Sequence, residues 1–216
     1  LVRSRGLGDV YKRQEEGYVK IIVTRGSDDH NFTIPARSAL QPNVLVYGKP
    51  IDLNAIEKVQ FGVNCITLDD DRGHHCDILS LNQLNNMMAR AEAQKKNCYD
   101  AVFIKDGLLT EASHSNVCIV KAGVIWTPAT NEHMIRGVTR SLVLTRAAPS
   151  AGVTSIDEAS EPVRFEDMMT AEEVFLTNSQ DGIIPVLSID GNLIGGGKVG
   201  DVTQKIQAHY AHLMED

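Results

Sequence analysis

Aromatic residues are scarce in this chain: five Phe, five Tyr and one Trp among 216 residues. Basic residues are outnumbered, 21 against 28 acids, and the formal charge is −7. Without a Lys/Arg stripe interleaved with aromatics, the sequence has no electrostatic footprint for nucleic acid. Long apolar runs are also missing: no stretch approaches the roughly 18 uninterrupted apolar residues of a membrane span. The first residues carry no apolar signal-peptide core. The expectation is a cytoplasmic protein with neither a membrane nor a nucleic-acid partner. Four cysteines, at 65, 76, 98 and 118, are spaced 11, 22 and 20 apart. That is too sparse for a disulfide scaffold and matches no zinc pattern, so they read as reduced thiols. What is present, 43% hydrophobic and 23% charged residues, suffices for one sizeable core, or for one domain plus part of another.

Charge is unevenly placed. Residues 1–14 (LVRSRGLGDVYKRQ) hold four basic groups and one acid, leaving 17 basic against 27 acidic residues in the remainder. This stretch has neither strand alternation nor a helical stripe and resembles the translated read-through of a sequencing adapter. A foreign segment is therefore expected at 1–14.

From Glu15 onward, Tyr18–Thr24 and Asn43–Tyr47 read as strands. Gly48-Lys49-Pro50 then punctuates the chain and marks the best domain boundary. A short helix is expected over Asp52–Lys58 and a strand over Phe61–Leu68. The clearest helix starts at Ser80 as N-cap, places Leu81, Leu84, Met87, Met88 and Ala91 on one face, and ends near Lys95-Lys96-Asn97. A meander follows: strands at Tyr99–Lys105, Asn116–Lys121 and Val124–Thr127, with tight turns at Asp106-Gly107 and Ala122-Gly123. Further expectations are a helix over Gly137–Arg146, a strand at Val153–Asp157, a short helix around Phe165–Met169, strands at Glu173–Thr177 and Ile184–Ile189, and a terminal helix over Asp201–Leu213. This mixture of helices and hairpins predicts an α+β fold.

Several segments could carry chemistry. Thr110–Asn116 (TEASHSN) is small and polar between strands: an ordinary polar loop, or a carboxylate beside hydroxyls and an amide able to hold a cationic heteroaromatic ring. Ile135–Arg140 (IRGVTR) puts Gly and then Thr at a helix start, where free N–H groups and the dipole suit a phosphate or simply cap the helix. Thr177–Gln180 (TNSQ) offers two hydroxyls and two amides after a strand, and equally reads as a turn. His74-His75-Cys76-Asp77 suggests metal, but adjacent residues rarely converge on one ion and no second pair stands at ligand spacing, so no metal site is expected. His209 and His212, without a partner motif, read as surface residues. Gly195–Gly197 is no P-loop, lacking a following GK[ST].

Taken in order, VTRG, CDILSLN, the Met-containing helix, TEASHSN, IRGVTR, FLTNSQ and IDGNLIGGGKVGDVTQKI resemble the fold-type IV pyridoxal-phosphate (PLP) aminotransferases (class IV). The likeness is greatest to the D-amino-acid (D-alanine) transaminases, and it covers roughly residues 17–216. The group also holds branched-chain aminotransferases and aminodeoxychorismate lyase. The resemblance implies a complete C-terminal large domain at 49–216 and, at 15–48, the end of a truncated N-terminal small domain. It implies pyridoxal 5′-phosphate as cofactor, a D-amino acid and a 2-oxo acid as substrates, and a homodimer when full length. It assigns Glu111 to the pyridine nitrogen, keeping it protonated so that the ring accepts electrons. Ser115 and Asn116 accompany it; Gly137, Val138 and Thr139 hold the phosphate at a helix start; and Asn178 with Ser179, or else Thr177, supplies the later hydroxyl. Both anion-capable segments are then explained together.

One departure outweighs these agreements. The family's Schiff-base lysine lies in a C-D-I-K-S-L-N segment, and here Leu79 stands in its place. Leucine has no amine to bind the cofactor covalently and cannot move a proton, so no catalytic residue is intact. Losing a positioned general base costs about 10²- to 10⁴-fold, and here the covalent anchor goes with it. Lysine and leucine codons differ at more than one position, which favours a genuine substitution. Any PLP bound is expected to be non-covalent, and a non-enzymatic partner or regulatory subunit is the competing expectation. The substrate side is altered too. Where the D-alanine type places an Arg and a His after VTRG, this chain has Gly26–Phe32 (GSDDHNF), with His30 at the Arg position.

Overall fold

The computed structural model describes residues 17–26, 41–156 and 162–215. They fall into two compact units dividing between Leu53 and Asn54. In the first, β1 (Gly17–Thr24) and β2 (Asn43–Pro50) pair antiparallel, Gly17 opposite Pro50 and Thr24 opposite Asn43. His30 and residues 1–14 lie outside the described residues.

The second unit opens with α1 (Leu53–Gln60), β3 (Val63–Asp69), α2 (Leu84–Lys95), β4 (Asp100–Lys105), β5 (Leu108–Ala112), β6 (Asn116–Lys121) and β7 (Val124–Trp126). A continuous helical run follows: α3 (Val138–Leu142), a π-helical turn at Val143–Ala147 and α4 (Ala148–Ser150). Then come β8 (Ser155–Ile156), α5 (Phe165–Met169), β9 (Glu173–Asn178), β10 (Gly182–Ile189), β11 (Asn192–Leu193) and α6 (Asp201–Glu215).

The strands form one nine-stranded sheet in the order β5-β4-β3-β10-β9-β6-β7-β8, with β11 on β10. Pairing is mixed: β3 runs parallel to β4 and β10, while β10-β9-β6 is antiparallel. The Ala112 N–H donates to the Ser115 carbonyl at 2.7 Å, joining the end strand β5 to β6 and curling the sheet. As anticipated, Asp106-Gly107 and Ala122-Gly123 make the tight turns, all four residues at positive φ.

Strand alternation feeds two cores. In β6 and β9, Val117, Ile119, Val174 and Leu176 face a cluster closed by Met168 of α5. Cys118, Val120 and Phe175 face Val143, Leu144, Ala147, Ile206 and Tyr210 of the helices opposite. Strands buried on both faces read as unbroken apolar runs, which is how VCIV and VFL read here.

Two sequence expectations change. Helix α2 begins at Leu84 rather than Ser80; its N-cap is Gln83, with no side-chain cap. The Ser80 hydroxyl instead accepts the Asn82 N–H at 3.2 Å in the preceding loop. Nor does the Leu/Met stripe face inward. Ala89 and Ala93, one turn apart, meet Ile66, Ala101 and Phe103, because methyl side chains let the helix approach the sheet closely. Leu84, Met87 and Met88 stay 61%, 68% and 60% exposed. Second, Thr110-Glu111-Ala112 is not loop but the end of β5, so the polar connection shrinks to Ser113–Ser115.

Candidate active site

Strand β5 carries Glu111 inward, 5% exposed, at the point where the sheet curls onto β6. Its Oε1 accepts from Arg72 Nη1 at 2.5 Å, and its Oε2 accepts the Ile135 N–H at 2.9 Å and Asn116 Nδ2 at 3.4 Å. Arg72 follows β3 and is itself buried. It donates from Nε to Asp70 Oδ1 at 2.9 Å, and from Nη2 to Asp70 Oδ2 at 2.8 Å and the His133 carbonyl at 2.9 Å. Its guanidinium carbon stands 4.3 Å from the centroid of the Phe103 ring. The Thr110 hydroxyl adds a bond to Asp70 Oδ2 at 2.8 Å.

One guanidinium thus serves two buried carboxylates, which respond differently. Burial pushes the Glu111 carboxyl up from 4.5 to about 6, against Arg72 and the Ile135 N–H, which pull it down. Burial also works to raise Asp70, but hydrogen bonds from Arg72 and Thr110 prevail and hold it below the usual carboxylate range. For Arg72, burial is outweighed by both acids, so it stays charged. Glu111 therefore titrates closer to neutrality than an ordinary glutamate.

The segments singled out in the sequence converge here. Asn116, the first residue of β6, donates to the Ile135 carbonyl at 2.7 Å and ties the approach to α3 to Glu111. Gly137 is the N-cap of α3, and a Cβ built on it would lie 2.0 Å from Asn116 Oδ1, so only glycine allows this approach. The first N–H groups of the run beginning at Val138 have no acceptor within the helix. Thr139 is buried and Val138 exposed. Thr177 pairs with Asn116 across β9 and β6, hence on the same face, and its buried Oγ1 has no hydrogen-bond partner among the described residues. Asn178 Nδ2 reaches Ser115 Oγ at 3.1 Å, and Ser179 is exposed at the β9–β10 turn.

Leu79 is 79% exposed, between Ile78 and Ser80, whose N–H donates to the Ile78 carbonyl at 2.7 Å. The preceding segment is fastened by the Cys76 N–H to the Glu132 carbonyl at 2.8 Å. His74 and His133 both approach the Glu132 carboxylate, at 3.6 and 3.8 Å. Among the described residues no group of three or more His, Cys, Asp or Glu is placed to hold a metal ion, and no helix is long and apolar enough to cross a membrane. Sequence reading missed Arg72 and Asp70; the Asp-x-Arg spacing at the end of β3 was the available signal.

The amino-transferase class IV family model matches residues 6–189, and the chain belongs to that family. It is 37% identical to the D-alanine aminotransferase of Bacillus licheniformis over 201 residues, 93% of this chain and 68% of that protein. It is 32% identical to the D-alanine aminotransferase of Staphylococcus aureus (strain N315), covering 98% of this chain and 73% of the relative. In fold it resembles the branched-chain amino acid aminotransferase of Escherichia coli, with TM-score 0.81 at 22% identity over 95% of this chain and 68% of that one. It likewise resembles an aminotransferase of Brucella abortus solved bound to the cofactor PLP, with TM-score 0.74 at 21% identity over 93% and 69%. The family is PLP-dependent, and the α+β fold expected from the sequence is that of these neighbours.

Proposed function

We propose that this chain is a class IV aminotransferase homologue that still holds PLP but holds it without a covalent bond. Its inherited reaction, amino transfer between a D-amino acid and a 2-oxo acid, is then lost or strongly reduced. The observation that carries this reading is a mismatch: Glu111 is buried and fully supported, while position 79, in the segment where the family keeps its lysine, is an exposed leucine.

The residues present fit the cofactor at two ends. The free N–H groups at Val138 and Thr139 and the unpartnered Thr177 hydroxyl suit the phosphate, and the missing Cβ of Gly137 lets the Asn116 amide close against that helix start. Ser179 is exposed beside them. Glu111, held by Asn116 and the Ile135 N–H, suits the ring nitrogen. When bound, PLP supplies an electron-accepting ring. Arg72 keeps a cation against Glu111, and Asn116 fixes the distance between the carboxylate and the α3 start. The leucine at position 79 cannot hold or move a proton at the substrate carbon. On this reading 15–48 ends a small lobe, 49–216 is the cofactor lobe, and His30 is the remaining candidate for the substrate carboxylate.

The test is to load the chain with PLP, reduce with borohydride and measure its intact mass. Bound cofactor that leaves on denaturation, with no added mass on the chain, is expected. A phosphopyridoxyl group on any lysine overturns the reading.

The exposed Leu84, Met87 and Met88 favour one addition. They form an apolar stripe suited to a second copy of the chain, hence a homodimer, or to an active paralogue. Failure to bind PLP, combined with specific pairing to an active class IV relative, replaces the cofactor-binding reading with that of a regulatory subunit.

A further inference from the structure

Asn178 and Ser115 stand in the family's cofactor segments, yet their side chains are already spoken for. The Asn178 carbonyl oxygen accepts the N–H groups of Gln180 at 3.0 Å and Asp181 at 2.7 Å. Its amide nitrogen donates to Ser115 Oγ at 3.1 Å and to the Tyr99 hydroxyl at 3.2 Å. Two acceptor bonds and two donor bonds exhaust an amide. Ser115 in turn donates to Asp100 Oδ2 at 3.2 Å, and the Ser113 hydroxyl bonds the other oxygen of Asp100, which is fully buried.

The far end of the chain of bonds is Tyr99. Its hydroxyl donates to Asp181 Oδ2 at 2.5 Å, and the Arg90 guanidinium lies 5.4 Å from its ring centroid. Burial first, and the Asp181 carboxylate second, push the phenol well above its ordinary range, so it remains a donor. Tyr99 precedes β4, Asp181 precedes β10 and Asn178 ends β9. The phenol thus binds both ends of the 178–181 turn to a different part of the sheet. Ser179, the exposed residue of that turn, is bracketed by Asn178, whose amide is fully bonded, and by the Gln180 and Asp181 N–H groups held on that amide.

We infer that Tyr99, with Asp181 and Asn178, is a positioning residue that holds the 178–181 turn so that the Ser179 hydroxyl meets the phosphate of the cofactor, and that Asn178 and Ser115 contact no part of it through their side chains. This rests on the cofactor reading above. It predicts an effect confined to the phosphate: a cofactor without one does not notice whether Ser179 is in place.

The experiment compares PLP with pyridoxal, which lacks the phosphate, on the full chain and on Ser179→Ala, Tyr99→Phe and the double variant. A lost hydrogen bond to a charged phosphate costs about tenfold or more in affinity. Ser179→Ala and Tyr99→Phe are each expected to weaken PLP about tenfold while leaving pyridoxal unchanged. The double variant should be no weaker than Ser179→Ala alone, because both act through one hydroxyl. Additive losses, equal losses for both ligands, or no loss in Tyr99→Phe overturn the proposal. If the wild-type chain binds neither ligand, the cofactor reading fails by itself. Hydrogen exchange at the Gln180 and Asp181 amides then decides the positioning claim: faster exchange in Tyr99→Phe supports it, and unchanged exchange overturns it.

Discussion

Arg72 and Glu111 meet across 2.5 Å although 39 residues separate them, and neither side chain is more than 6% exposed. The contact joins the loop after β3 to the end of β5. Because Asp70 shares the same guanidinium, charge is not balanced within the cluster: two acids lean on one base. Burial first, with the nearby Asp70 adding to it, makes Glu111 the carboxyl of the two that gives up its proton at the higher pH.

Removing the shared cation is therefore expected to be costly. Arg72→Met should destabilise the fold by about 3–5 kcal/mol, since it strands two buried carboxylates. Arg72→Lys should recover part of this, lacking the fork that reaches both acids at once. Urea unfolding followed by circular dichroism reads both.

The same cluster sets a pH dependence. The folded-state carboxyl of Glu111 is raised from 4.5 to about 6, so the folded chain binds this proton more tightly than the unfolded one. Stability should fall as pH rises from about 4.5 to about 6, by on the order of 2 kcal/mol. Asp70 is depressed and works oppositely: its contribution is complete above its ordinary value and is lost as pH falls through the lower folded value. Unfolding curves from pH 3 to 7 should lose the falling limb in Glu111→Gln and the acid limb in Asp70→Asn.

Gly137→Ala tests the close approach of α3. The backbone there is at φ −64, which alanine adopts freely, so any effect is steric. A Cβ must displace the Asn116 amide, and a loss of about 1–3 kcal/mol is expected, together with weaker PLP binding. An unchanged melting temperature would show that Asn116 moves aside freely.

Leu79→Lys should change stability by no more than about 0.5 kcal/mol, because the leucine is already in solvent. The variant is expected to gain what the wild type lacks, a borohydride-stable adduct with PLP at residue 79. Peptide mapping after reduction locates it.

Met87→Lys addresses the exposed stripe of α2. The methionine is 68% exposed, so the fold should be retained while self-association weakens by about tenfold or more, read by light scattering across concentrations.

The sequence announced some of this architecture clearly and concealed the rest for identifiable reasons. Turns such as Asp106-Gly107 declare themselves because their dihedrals demand particular residues. The stripe of Leu84, Met87 and Met88 misled because periodicity shows which residues share a helix face but not whether that face turns inward; the quieter pair Ala89 and Ala93 holds the sheet. Thr110 and Glu111 looked like loop because polar residues depress strand signals, and their ladder depends on partners in β4. Arg72 was hidden because, although Asp70 stands two residues before it, its other acid, Glu111, lies 39 residues further along the chain. The family segments were legible as chemistry, whereas the division of labour within them, with Ser179 facing solvent and Asn178 fully bonded, depends on three-dimensional proximity.

The parallel seam between β3 and β10 at the middle of the sheet has a consequence for the birth of the molecule. Asn64 bonds Ser188, and Thr67 bonds Asp190, partners 124 and 123 positions apart. At a synthesis rate of about 5–20 residues per second, β3 waits roughly 6–25 s before its neighbour leaves the ribosome. During that interval β4 can dress one side of β3 while its partner on the other side is still unmade, so an open strand edge is presented to the surroundings. Ribosome-associated holdases that shield such edges should therefore raise the soluble yield of this chain more than slower translation does, because slowing lengthens the exposure.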